Sequence, residues 1–116
     1  MKRNVLIIGG GPAGIEASRK IRDFGHTPIL IEKESHLGGH LAKWHKLFPD
    51  GESTEELLNS LTSDMDGIKW FTDTDIVSIN KLKHLYVAIC SNGISIQADA
   101  LLFTTGFSMF PAEKKE

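Results

Sequence analysis

Gly9-Gly10-Gly11-Pro12-Ala13-Gly14 constrains this chain more than any other segment. It follows the continuous apolar run Val5-Leu6-Ile7-Ile8. An uninterrupted apolar run closed by glycine reads as a strand buried on both faces, as in parallel sheets. A helix is predicted to start near Pro12, because proline at the first helical position breaks no hydrogen bond. Ile15, Ala17, Ile21 and Phe24 form its apolar side, and Gly25 supplies a C-terminal cap. A second apolar run, Pro28-Ile29-Leu30-Ile31, ends at Glu32. Strand, glycine turn, helix and strand together have the length of one βαβ unit.

Such a turn can hold phosphate. Gly9 allows a tight exit from the strand, and Gly11 lets a pyrophosphate approach the backbone. Gly14 lets the helix pack close to the sheet. Pro12 and Ala13 open the helix, whose N-terminus offers unpaired N–H groups and partial positive charge. Glu32 lies 18 residues past Gly14, near the ~20 expected of an acid that accepts from ribose hydroxyls. Its carboxylate would repel a 2′-phosphate, which disfavours NADP. Lys33 either flanks an adenine or is simply solvated.

Whole-chain totals narrow the class. The chain has 116 residues, enough for a single domain, and its formal charge is -2. No basic excess favours a nucleic-acid partner. Cys90 is the only cysteine, which excludes an intrachain disulfide and a cysteine-rich iron–sulfur site. A cytoplasmic location is therefore the default. The apolar run after Lys2-Arg3 is too short for a secretory signal, and no segment reaches the ~20 apolar residues of a membrane span.

Ser53-Thr54-Glu55-Glu56 reads as a capping box opening a second helix, with Leu57, Leu58, Leu61 and Met65 as its core stripe and Gly67 as its stop. Ile68-Lys69-Trp70-Phe71 is a short third parallel strand. The texture then changes to short strands, Ile76–Ile79, Leu85–Ile89 and Ile94–Ile96, with turns at Asn80-Lys81 and Asn92-Gly93. These form an antiparallel meander over 76–97. Ala100-Leu101-Leu102-Phe103 returns to a buried parallel strand. The expected fold is a Rossmann-like three-layer α/β domain with a parallel sheet and an antiparallel β-meander.

The run from Val5 to Gly39 resembles the FAD-binding fingerprint of the two-dinucleotide-binding-domain flavoproteins, the pyridine nucleotide-disulfide oxidoreductase superfamily. The resemblance implies that the doublet Gly38-Gly39 touches the pyrophosphate from the other side, a feature that NAD domains lack. Gly39-His40-Leu41-Ala42-Lys43, with Phe48-Pro49, is similar to the A-type polypeptide of heterodisulfide reductase and to the dienoyl-CoA-reductase-like flavoproteins. His40 stands where those subgroups often have glutamine or arginine. Ala98 to Gly106 resembles the family's second motif, a strand followed by Ala-Thr-Gly at the cofactor. Here it reads Thr104-Thr105-Gly106. The resemblance also implies that backbone groups of Thr74-Asp75-Ile76 meet the adenine.

Two departures limit what the resemblance implies. The family inserts an NAD(P)H domain after the Thr-Thr-Gly position and then returns with a Gly-Asp motif near the flavin; these residues contain neither. The heterodisulfide reductase polypeptides also carry cysteine-rich cluster motifs, absent here. No catalytic constellation is visible. His36, His40 and His45 do not make a metal site, since the segment is interrupted by glycine and no cysteine joins them. Trp44 and Trp70 read as packing residues, and Cys90 as inert. The expectation is therefore the FAD-binding domain of an oxidoreductase, incomplete relative to the family. A complementing subunit would complete it, and apolar sheet edge left exposed by the missing elements would favour self-association. An NAD-binding module, or a non-catalytic remnant keeping the fold, are the alternatives.

Overall fold

A computed structural model describes residues 2–39, 59–60 and 62–104. Its elements are β1 (Asn4–Ile8), α1 (Pro12–Asp23), β2 (Thr27–Ile31), β3 (Lys69–Phe71), β4 (Ile76–Lys81), β5 (Tyr86–Cys90), β6 (Ser95–Ala98) and β7 (Ala100–Phe103). Four strands form a parallel sheet in the order β3-β2-β1-β7, and β4-β5-β6 form a separate antiparallel sheet. This is the expected combination.

The alternation of side chains along the strands creates the three layers. Ile7 and Leu30 face one way and pack with Ile15 of α1 and with Ile68. Leu6, Ile29 and Ile31 face the other way and pack with Ala88, Cys90, Ile96 and Ala98 of the meander. The continuous apolar runs of β1 and β2 are thus explained, since both of their faces are covered. Cys90 is buried, and its thiol pKa is raised by the desolvation.

Pro28 sits within an inner strand without breaking it. Thr27 N–H donates to Arg3 O, so the next residue faces the β3 side. Pairing with β3 begins only at Ile29 opposite Lys69. The missing proline donor therefore lies where no neighbour has yet started.

The end of α1 follows from Gly25. Its φ is +93°, the left-handed region that glycine enters readily. Gly25 N–H donates to Arg22 O and His26 N–H to Ile21 O, which is the Schellman pattern. Phe24, expected on the apolar side, is instead 80% exposed. It occupies the cap position, where the chain is already leaving the helix. Ser18 takes the buried place beside Ile15 and satisfies its hydroxyl on Gly14 O at 2.8 Å.

Other expectations shift in detail. The first meander turn falls at 82–85 rather than Asn80-Lys81, closed by Leu82 N–H to Leu85 O. The Asn92-Gly93 hairpin is present, with Gly93 at φ +87°. Trp70 is 46% exposed on the outermost strand β3, so it packs less than expected. β7 is parallel as expected but takes the other edge and is half-buried along its length. Gly67 adopts φ +79° beyond the second helical stretch. The capping box Ser53–Glu56, Leu57, Leu58, Leu61, Trp44 and His45 lie outside the described residues.

Asp99 is the corner between the two sheets. Its N–H donates to Asn4 O, and its Oδ2 accepts from Asn4 N–H, both at 2.8 Å. One residue therefore carries the chain from β6 into β7 and pins both to the start of β1. On the helix side, Arg19 and Arg22 donate to the carbonyls of Ser60, Asp64 and Asp66. Arg22 also makes an ion pair with Asp64 at 3.0 Å. That hydrogen bond holds the Asp64 carboxyl below its usual pKa and raises Arg22.

Candidate functional site

The chain leaves β1 towards β2 on one side, while β7 lies on β1's other side. The strand order therefore reverses between β1 and β7. In open α/β sheets a crevice forms outside the carboxyl ends of the strands at such a reversal. Gly9 follows β1, Glu32 follows β2, the 72–75 turn follows β3 and Thr104 follows β7. Most of the residues singled out from sequence thus converge on one end of one sheet.

The glycine turn has three distinct steric reasons. Gly9 has φ +121°, which side chains rarely tolerate. A Cβ on Gly14 would run into the Gly9 carbonyl and come within 2.9 Å of Thr104 Oγ1. Gly14 is therefore required for packing. Gly11 is different: among the described residues, a Cβ there would meet only Gly39 Cα at 3.9 Å. Its φ is −78°, open to any residue. The described residues leave space at Gly11 that they do not themselves fill.

Beside that space lies the start of α1. The first helical bond runs from Ile15 N–H to Gly11 O. Pro12 has no N–H, so Ala13 and Gly14 carry the first-turn amides that precede it. Gly11 provides no side-chain cap, and no acidic residue occupies the first turn. The positive end of the helix is thus without a side-chain cap or a first-turn acid.

The second glycine pair closes on the first. Gly38 N–H donates to Gly10 O at 2.8 Å, and a Cβ on Gly39 would meet Gly11 Cα at 3.2 Å. Gly38 and Gly39 adopt φ +105° and +54°. Gly10 was not singled out from sequence, yet a Cβ there would come within 2.7 Å of Leu37 and 2.9 Å of Glu32. Three consecutive glycines, where the motif asks for only two of them, were the available signal.

Glu32 is only 8% exposed and its carboxylate is fully engaged on one side. Oε1 accepts from Gly10 N–H and Oε2 from Glu34 N–H, both at 2.7 Å. Each oxygen has a further lone pair for a hydroxyl donor. The residue also continues the sheet beyond β2: Glu32 N–H donates to Phe71 O, Thr74 N–H to Glu32 O and Asp73 N–H to Glu34 O. This lacing holds the 72–75 turn opposite Glu32, with Asp73 in the left-handed region at φ +53°.

Between them lies a cleft of about 360 Å³, within the size range of small-ligand sites. Gly9, Glu32, Lys33, Asp75 and Ile76, all singled out from sequence, line it. Thr74, named with Asp75 and Ile76 from the resemblance, lines it as well, and Ile8, Ile31 and Phe103 line it without having been anticipated as site residues. Thr104 is not a lining residue. Its Oγ1 lies 3.1 Å from Ile8 O and 2.9 Å from Gly9 O, so it braces the glycine turn from behind. His40, Thr105 and Gly106 lie outside the described residues. Among the described residues, no group of three His, Cys, Asp or Glu side chains is placed to hold a metal, and no helix is long and apolar enough to cross a membrane.

The sequence pattern of the pyridine nucleotide-disulphide oxidoreductase family matches residues 3–114. The A-type polypeptide of the ferredoxin/F420H2-dependent CoB-CoM heterodisulfide reductase of Methanosarcina acetivorans is 48% identical over 50 residues, covering 43% of this chain and 6% of that protein. The second A-type iron-sulfur polypeptide of the CoB–CoM heterodisulfide reductase of Methanopyrus kandleri is 35% identical over 78 residues, covering 65% of this chain and 12% of that protein. Among solved structures, L-proline dehydrogenase from P. horikoshii superposes with a TM-score of 0.75 at 26% identity, covering 91% of this chain and 23% of that one. The chain therefore spans a small fraction of each of these proteins.

Proposed function

Because the chain belongs to the pyridine nucleotide-disulphide oxidoreductase family and corresponds to the FAD-binding domain of a flavin-dependent oxidoreductase, we propose that it holds FAD through the ADP half. The pyrophosphate rests over Gly9 to Gly14, against the Ala13 and Gly14 amides, with Gly38-Gly39 on its other side. The ribose hydroxyls donate to Glu32, and the adenine enters the cleft towards Thr74, Asp75 and Ile76. The single observation that carries this reading is the space at Gly11. It adjoins an uncapped helix N-terminus and is closed by a second glycine pair.

Glu32 fixes the choice among dinucleotides. Two backbone amides hold it as an oriented acceptor, so a ribose diol fits and a 2′-phosphate is repelled. The bound flavin supplies the redox chemistry; the residues of this domain bind and orient it. We place the hydride-donor site outside these residues, in a further domain or a complementing subunit. The relatives named as parts of heterodisulfide reductases support that placement. The cytoplasm is the compartment that fits such a flavoprotein with a single cysteine.

Calorimetric titration of the purified chain with FAD, ADP and NADP tests the reading. FAD binds one to one. ADP competes with it at a dissociation constant within about tenfold, or ~1.4 kcal/mol, and NADP binds more weakly than either. Failure of ADP to displace FAD overturns the proposal.

A further inference from the structure

The adenine end of the cleft has one adjustable part. Asp75 N–H donates to Ser91 Oγ at 3.1 Å, and Asp75 O accepts from Ser91 N–H at 2.8 Å. Thr74 is buried; its N–H is on Glu32 O and its hydroxyl is on Thr72 O. The Thr74 and Asp75 amides and the Asp75 carbonyl are therefore already committed to the fold. The Asp75 side chain is exposed, and its Oδ1 accepts from the next residue's amide, Ile76 N–H, at 2.9 Å. Both residues line the cleft that also holds Glu32.

A carboxylate acceptor beside an amide donor is a recognition pair. Adenine carries the matching edge: the exocyclic amine donates and the adjacent ring nitrogen accepts. Hypoxanthine carries the opposite edge, a carbonyl oxygen beside a ring N–H. We propose that Asp75 is a base-specificity residue, whose carboxylate leaves the Ile76 amide to accept from the exocyclic amine of adenine while that amide donates to the ring nitrogen. This rests on the placement of an ADP moiety with its ribose on Glu32. The exchange replaces one internal hydrogen bond by two with the ligand. With hypoxanthine both contacts would face like against like, so Asp75 stays on Ile76 and the base gains nothing from either group.

The test is the ratio of dissociation constants for inosine diphosphate and ADP, measured by calorimetry on the full chain, on Asp75→Ala and on Asp75→Asn. The parent favours ADP by about tenfold or more, the scale of one hydrogen bond. In Asp75→Ala the ratio falls by about threefold or more but stays above unity, because the acceptor for the amine and its repulsion of the carbonyl are gone while the Ile76 amide still faces a ring acceptor in adenine and a ring N–H in hypoxanthine. Asp75→Asn also lowers the ratio, since its side-chain amide can donate to the carbonyl of hypoxanthine. A merely structural role for Asp75 would weaken both nucleotides together and leave the ratio unmoved. A parental ratio retained in both variants, or no preference in the parent, overturns the inference while ADP binding itself stands. Absence of ADP binding to the parent overturns the dinucleotide reading and this inference with it.

Discussion

Gly11→Val separates binding from folding. Among the described residues, a Cβ at this position meets nothing but Gly39 Cα at 3.9 Å, and the backbone is in a region open to valine. The structural effect is the weaker helix cap, about 1 kcal/mol or less, because valine is a poorer N-cap than glycine. That corresponds to a loss of about 4–8 °C in Tm at most for a domain of this size. The binding effect is larger. The added methyl groups occupy the space assigned to the pyrophosphate and hold it away from the Ala13 and Gly14 amides. Two charge-assisted hydrogen bonds of about 1.5–3 kcal/mol each are then lost. The sum is ~3–6 kcal/mol, or a rise in Kd of roughly 10²–10⁴-fold. Calorimetry with ADP reads the affinity, and a circular-dichroism melt reads the fold. Gly14→Ala is the contrast: its Cβ strikes the Gly9 carbonyl, so it destabilises by at least the ~1–3 kcal/mol of an overpacked core. Parental ADP affinity in a well-folded Gly11→Val would refute the phosphate placement.

Further outcomes follow from the same geometry. Glu32→Ala lowers Tm as well as ADP affinity, because it strands the Gly10 and Glu34 amides at about 1–3 kcal/mol; an unchanged melt with weakened binding would contradict the structural part. The Asp64 carboxyl is held below its usual pKa chiefly by the Arg22 hydrogen bond. Its stabilisation is therefore complete above the ordinary carboxylate pKa near 4 and is lost as pH falls through the lowered value. Asp64→Asn flattens the acid limb of the stability profile in urea melts between about pH 5 and 2, and an unaltered limb would show that the pair is inert. Cys90 is buried with its thiol pKa raised, so a thiol reagent such as DTNB labels it slowly in the native chain and at once in denaturant; rapid native labelling would mean that the meander opens readily.

The glycine turn and Glu32 were legible because their requirements are local: a strand, a tight exit, a helix start and an acid at a fixed spacing. The parallel sheet and the meander were legible from the switch between continuous apolar runs and short turn-bounded strands. Gly10 was not, because its constraint is Glu32 and Leu37, more than twenty residues away and meeting it only in the folded sheet. Phe103 and Ile8 escaped notice for a similar reason: an apolar strand end reads as core until the topology places a cleft beyond it. Phe24 misled because apolar periodicity carries no mark of where a helix stops, and the Gly25 cap decided that. The hydroxyl of Thr104, read from sequence only as a small residue near the cofactor, also braces the glycine turn, a contact across 95 residues that sequence spacing does not show.

That brace sets an order in time. Gly9 and the Thr104 hydroxyl that supports its carbonyl are 95 residues apart, and the strand leading to Thr104 enters the sheet only after the meander has been traversed and Asp99 has turned the corner. Contacts of such long separation form late, because the intervening loop must first be closed. During synthesis the glycine turn leaves the ribosome well before Thr104 and waits, unsupported, while the chain is made to a residue 95 positions beyond Gly9. The cleft is thus begun early in this segment and finished at its end, and a lesion in β5 or β6 can delay it without touching a single residue that lines it.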